Sequence, residues 1–138
     1  MTPATEDYIK TVFYLEKNSK NNTVSTSSIA EWLNIKDSSV TSMIKKLAKH
    51  KLIKYESRKG VRLTNRGEQT ALKIIRKHRL LEIFLNEKLY YKPEDVHAVA
   101  DKLEHYVSDE LMKNIEDVLG ERDLGVHGEE IPSLNNEV

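Results

Sequence analysis

Cysteine is absent from these 138 residues. Its absence excludes a disulfide framework and a thiolate metal site, and it removes any sign of an oxidising compartment. No apolar run approaches the roughly 20 residues of a membrane span, and the opening MTPATEDYIK lacks the apolar core of a signal peptide. A soluble, cytoplasmic protein with no membrane partner is expected. There is no internal repeat, no low-complexity tract and no Gly-rich loop that would imply an open cleft. Net charge is also lacking, with 22 basic against 22 acidic residues.

That balance hides a segregation. Residues 41–80 carry 13 Lys and Arg against 2 Asp and Glu, whereas residues 81–138 carry 5 against 15. A basic middle suits a polyanion, and an acidic end suits cations. The competing reading is chance segregation of surface charge. With 38% apolar residues the core is thin for this length, so extra burial by dimerisation is expected.

The hydrophobic pattern is mainly α. Thr2 and Pro3 open a first helix, with Tyr8, Ile9, Val12, Phe13 and Leu15 on its apolar side. STSS caps a short helix, SIAEWLNI, in which Trp32 is assigned to packing. Asp37 is the expected N-cap of the next, SSVTSMIKKLAKHKLI. The runs LIKYES and VRLT, joined by Arg58-Lys59-Gly60, form a β-hairpin. A long helix then runs from Thr64 or Asn65. Pro93 opens another, PEDVHAVADKLEHYV, and SDELMKNIEDVL makes a third, ended by Gly120. The tail from Glu121 is expected to be extended or loose.

Helix, helix, turn, helix, basic hairpin is the order of a winged helix-turn-helix, whose second paired helix enters the major groove. Ser38, Ser39, Thr41 and Ser42 would face the bases or phosphates, Lys45, Lys46 and Lys49 the phosphates, and Arg58 and Lys59 the tip of the wing. Hydroxyls are weak base readers, so shape and phosphate contacts would dominate. The competing reading is a solvated helix whose Ser and Thr residues are caps.

The stretch VHAVADKLEHY raises a different question. His97, Asp101, Glu104 and His105 stand at i, i+4, i+7 and i+8. On a continuous helix they would share an arc of roughly 100°. His78 and Glu82, an i, i+4 pair on the preceding helix, also lie side by side. Only Lys102 interrupts the second helix. Carboxylates facing imidazoles and one another are relieved by a divalent cation. The alternative for any one of these histidines is a satisfied core residue. Hard oxygen donors with some nitrogen favour Mn²⁺ or Fe²⁺ over structural Zn²⁺, although Zn²⁺, Co²⁺ or Ni²⁺ can still bind in vitro.

The chain resembles the diphtheria toxin repressor family, close to its manganese-transport-regulator branch. The resemblance runs through TEDYIKTVFYLE, SSVTSMIKKL, RLTNRG, RKHRLLEIFL, VHAVADKLEHYVSDEL and EEIPSL. The pairing of RKHRLLE with H-x₃-D-x₂-E-H makes it specific. It implies an N-terminal winged helix-turn-helix domain over residues 1–66 and a helical metal-binding and dimerisation domain over 67–138. It further implies a primary metal site of Asp7, Asp101, Glu104 and His105, and an ancillary site of His78, Glu82 and His97. Members responding to iron tend to carry Met and Cys where Asp7 and Asp101 stand here, which points to Mn²⁺.

Two departures stand out. Manganese regulators with a binuclear site have Glu one turn after the first ligand, where this chain has Lys10. Longer relatives add an SH3-like domain with further ancillary ligands, so the ancillary site is expected to be weak, vacant or completed by water.

The function implied is a homodimeric repressor that binds double-stranded operator DNA when Mn²⁺ or Fe²⁺ acts as corepressor, shutting off metal-uptake genes. The ion would fix the winged domain against the rest of the molecule, with Leu81, Phe84, Leu85, Val107, Leu111, Ile115 and Leu119 at the dimer interface or in the monomer core. An enzyme is not expected: Glu104 is followed by His105 without the Glu-x-x-His repeat of di-iron bundles, and H-E-x-x-H is missing. The alternative is a winged-helix regulator sensing a small organic ligand in an apolar pocket.

Overall fold

The computed structural model describes residues 1–56 and 58–134. Ser57, at the end of the first expected strand, and the last four residues of the tail fall outside them. The chain divides into two compact units, Met1–Ala71 and Leu72–Val138.

The first unit opens with α1 (Pro3–Lys17), whose N-cap Thr2 accepts a hydrogen bond from the Thr5 amide. Two short helices follow, α2 (Thr26–Leu33) and α3 (Asp37–Lys49). Ser25 caps α2 through the Ser28 amide, and Asn34, left-handed at φ 54°, ends it and sets the tight turn. The N-cap of α3 is Lys36, not the expected Asp37. Asp37 lies one residue inside, where its negative charge still favours the helix N-terminus. Ile9, Val12, Ile29, Val40, Ile44 and Leu47 are buried together in one core.

Strands β1 (Ile53–Glu56) and β2 (Gly60–Leu63) pair antiparallel, with Ile53 opposite Leu63 and Tyr55 opposite Val61. Period-2 alternation puts Ile53, Val61 and Leu63 inside and leaves Lys54 and Arg62 toward solvent. Val61 also pairs with Val24 through two 2.7 Å backbone hydrogen bonds. Gly60 is required beside that bridge. Its φ is +107°, and a Cβ there would lie 2.6 Å from the Val24 carbonyl oxygen.

Helix α4 (Asn65–Lys88) starts in the first unit and continues into the second. The Thr64 hydroxyl donates to the Lys51 carbonyl and accepts from the Gly67 amide, fixing its start against the hairpin. The second unit adds α5 (Val96–Leu103) and α6 (Asp109–Leu119), the latter capped by Ser108 and ended by Gly120. Leu81, Ile83, Leu85, Val96, Ala100, Val107, Met112, Ile115, Leu119 and Ile131 are among the residues of its core.

Two expectations change here. Helix α5 begins at Val96 because residues 93–95 form turns, and it ends at Leu103, so His105 lies beyond it. Of the seven residues considered for an interface, Leu81, Leu85, Val107, Ile115 and Leu119 belong to the monomer core and Leu111 is exposed.

Residues 123–131 of the tail are also more ordered than expected. A hairpin-like turn closes with Leu124 opposite Glu130 and with the Ile131 amide on the Asp123 carbonyl. Arg76 and Arg79 hold it by donating to the carbonyls of Pro132 and Glu130.

Candidate metal centre and nucleic-acid face

In the first unit, Val40, Ile44 and Leu47 turn inward, and this orientation of α3 leaves Ser38, Ser39, Thr41, Ser42, Lys45, Lys46 and Lys49 exposed along the other side. The Thr41 hydroxyl donates to the Asp37 carbonyl, so its lone pairs remain available as acceptors. Arg58 and Lys59 are exposed at the hairpin tip, where Lys59 approaches Glu56 at 3.7 Å. Exposed ion pairs of this kind are weak and easily exchanged for phosphate. Lys54 and Arg62, outward on the strands, extend the basic wing and were missed from sequence; strand alternation was the available signal.

In the second unit, His78 is the centre of a cluster. One turn of α4 sets it beside Glu82, with Nε2 3.5 Å from a carboxylate oxygen. The ring is buried. Its Nδ1 lies 2.5 Å from a Glu104 oxygen and 3.4 Å from Asp101, and its Nε2 lies 3.2 Å from His97 Nδ1. His97 in turn approaches Asp101 at 3.3 Å and Glu82 at 3.5 Å. Donor atoms of His78, His97 and Asp101 all fall within 4.8 Å of one another.

Two carboxylates here, Glu82 and Glu104, are each only 1% exposed. Burial works against an ionised carboxylate. At Glu82 burial is the largest influence and raises the pKa, but His78, His127 and His97 together outweigh it and hold the group below its ordinary range. One Glu82 oxygen, Oε2, is buried with no hydrogen-bond partner. Basic residues of α4 are committed elsewhere, Lys73 to Asp109, Arg76 to Glu116 and Lys77 to the Val107 carbonyl. Imidazole and carboxylate donors with an orphaned buried oxygen fit a hard-to-borderline divalent cation.

The structure thus brings together His78, Glu82, His97, Asp101 and Glu104. His105 Nε2 stands 3.9 Å from Glu104. Asp7 lies in α1, in the first unit. His78 touches Asp101 and Glu104 as closely as it touches Glu82 and His97. Two residues of the tail were missed. His127 Nδ1 is 3.8 Å from Glu82, and donor atoms of Glu82, His127 and Glu129 lie within 4.8 Å of one another. They are far from Glu82 along the chain, and no helical spacing signals them.

Comparison with known proteins accounts for nearly the whole chain. The iron dependent repressor N-terminal DNA binding domain matches residues 1–61, and the family's metal binding and dimerisation domain matches residues 64–133. An uncharacterized HTH-type transcriptional regulator of Methanocaldococcus jannaschii is 37% identical over 83% of this chain and 91% of its own. The regulator MntR of Oceanobacillus iheyensis is 34% identical over 86% of this chain and 78% of its own. A solved structure of a manganese-dependent transcriptional repressor complexed with manganese is 38% identical with a TM-score of 0.83. That match covers 94% of this chain but 58% of the solved one. With both the winged DNA-binding unit and the helical unit matched, the chain belongs to the iron dependent repressor family, on its manganese-regulator branch.

Proposed function

We propose that this chain is a homodimeric transcriptional repressor that binds operator DNA in response to a divalent cation, Mn²⁺ first and Fe²⁺ second. The observation that carries the reading is the His78-centred cluster, with two buried carboxylates, Asp101 and a second imidazole within about one ligand shell. Asp101, Glu104 and His105 are assigned to the primary site, joined by Asp7 on the family resemblance alone. His78, Glu82 and His97 are assigned to the ancillary site. Zn²⁺ and other divalent ions are expected to compete in vitro, because affinity follows the Irving–Williams order.

DNA contact is assigned to Ser38, Ser39, Thr41 and Ser42 in the groove, and to Lys45, Lys46, Lys49, Arg58 and Lys59 on phosphates. The bound ion supplies positive charge that removes repulsion among the carboxylates. The ligands can favour DNA binding only by holding the ion more tightly in the DNA-competent arrangement. No catalytic role is assigned to any residue. No helix among the described residues is long and apolar enough to cross a membrane, and action in the cytoplasm on genes for metal uptake is part of the proposal. Sensing of an organic ligand is not favoured, since the matches include the regulator MntR and a manganese-dependent transcriptional repressor solved with manganese.

Selection from a pool of random duplex DNA tests the proposal, run in parallel with Mn²⁺ and with chelator. A consensus recovered only with Mn²⁺ is expected. The same consensus recovered equally in chelator would refute it.

A further inference from the structure

The first unit carries a groove apart from the exposed face of α3. It lies between the end of α1, the hairpin and the start of α4, and it encloses about 740 Å³. Sites for small molecules typically span roughly 300–1,000 Å³. None of the residues assigned above to DNA contact lines it. Five cations do: Lys17, Lys51, Lys54, Arg62 and Arg66, all of them exposed.

Two carboxylates share the groove, and both are committed. Glu68 lies 4.0 Å from Lys17, and Glu16 accepts a hydrogen bond from the Leu63 backbone amide. Arg62 approaches Glu56 at 3.9 Å. Lys51, Lys54 and Arg66 form no ion pair among the described residues. Like charges gathered around one concavity repel, and a multivalent anion removes that cost. The framework for such a ligand already exists. The Thr64 hydroxyl donates to the Lys51 carbonyl at 2.7 Å, which ties the turn after α3 to the start of α4. Lys51 and Arg66 are thus carried by backbone segments already joined, so little ordering is needed when an anion binds. Phe13, with the Lys17 ammonium 5.1 Å from its ring centre, adds an apolar wall.

We infer that this groove binds a phosphorylated small molecule carrying two or more linked phosphates. Lysine ammoniums meet phosphate as point charges and arginine guanidiniums as planar forks, so the set suits a phosphate chain. One isolated phosphate would leave several of the cations unmet. DNA offers the same chemistry, and Arg62 also lines a neighbouring groove with Arg58 and Lys59 of the wing tip. A concavity walled by three elements and a phenyl ring suits a compact ligand better than a duplex. The site shares no residue with the metal cluster or with the assigned DNA contacts, and it stands without either.

The test is calorimetric titration of sodium tripolyphosphate into the full chain without added metal. One equivalent per chain is expected. Lys51→Gln and Arg66→Gln each remove a charge from an exposed position, and each should weaken binding by roughly tenfold. Lys113→Gln, an exposed change on α6, should leave it unaltered. No uptake by wild type, or an affinity in K51Q and R66Q that matches K113Q, would overturn the inference. Fluorescence anisotropy of a labelled duplex separates the two sources of phosphate. K51Q and R66Q should keep the wild-type dependence of DNA affinity on salt. A slope lowered by about 1 in either variant would assign the groove to the DNA backbone and overturn the small-molecule site.

Discussion

Gly60→Ala is the sharpest perturbation of the wing. The residue sits at φ +107°, outside the conformations L residues adopt cheaply, and its new Cβ would stand 2.6 Å from the Val24 carbonyl oxygen. Holding that backbone costs about 1–3 kcal/mol. Escaping the clash means pulling Val24 away from Val61 and loosening two hydrogen bonds of 2.7 Å. At about 0.5–1.5 kcal/mol each, those add roughly 1–3 kcal/mol. The sum, about 2–6 kcal/mol, is a large share of the roughly 5–15 kcal/mol of a typical domain. The single Trp, Trp32, lies in α2 of the same unit and reports its unfolding by fluorescence in urea. The midpoint is expected to fall steeply, and DNA affinity with it. A loss under about 0.5 kcal/mol would refute the claim that the Val24–Val61 bridge anchors the wing.

Other expectations concern the second unit and the DNA face. His78→Ala leaves Glu82 and Glu104 buried without their shared imidazole, so the metal-free protein should lose about 3–5 kcal/mol in urea denaturation; a loss below about 1 kcal/mol would contradict the buried network. Arg122, hydrogen-bonded twice to Glu87, holds that carboxyl below its ordinary range. A depressed folded pKa adds stability that is present above the unfolded value near about 4.3 and is lost as pH falls through the folded value. The stability gap between wild type and Arg122→Ala should therefore close on acidification below about pH 5, and a gap independent of pH would exclude the pair as its source. Each Lys→Ala change at 45, 46 or 49 should lower the slope of log affinity against log salt by about 1 in fluorescence anisotropy; an unchanged slope would remove that lysine from the DNA face.

Much of this was legible in the sequence because local rules govern it. Caps at Thr2 and in the STSS run, the break at Gly120 and the alternation of VRLT are decided within a few residues, and the helices and hairpin follow them. The i, i+4 pair His78–Glu82 was legible for the same reason. What was not legible depends on contacts distant along the chain. His127 and Glu129 reach Glu82 only because a turn and a buried Ile131 fold the tail back. Helix α5 stops at Leu103 although the apolar period continues, and Glu104 turns into the core against His78. Packing likewise decides which apolar residues of α6 are interior: the helical period alone does not separate Ile115, inside, from Leu111, outside. Trp32, assigned to packing, is 55% exposed and stacks on Tyr14.

The central claim is that occupancy of the imidazole–carboxylate cluster controls DNA binding. It is tested most directly by fluorescence anisotropy of a labelled duplex carrying the selected consensus, with the metal-stripped protein held constant and Mn²⁺ titrated. Affinity should rise roughly 5- to 150-fold as the sites fill, the range of a coupling of about 1–3 kcal/mol, and Asp101→Ala should abolish the rise. Equal affinity in Mn²⁺ and in chelator, or an undiminished response in D101A, would contradict the account.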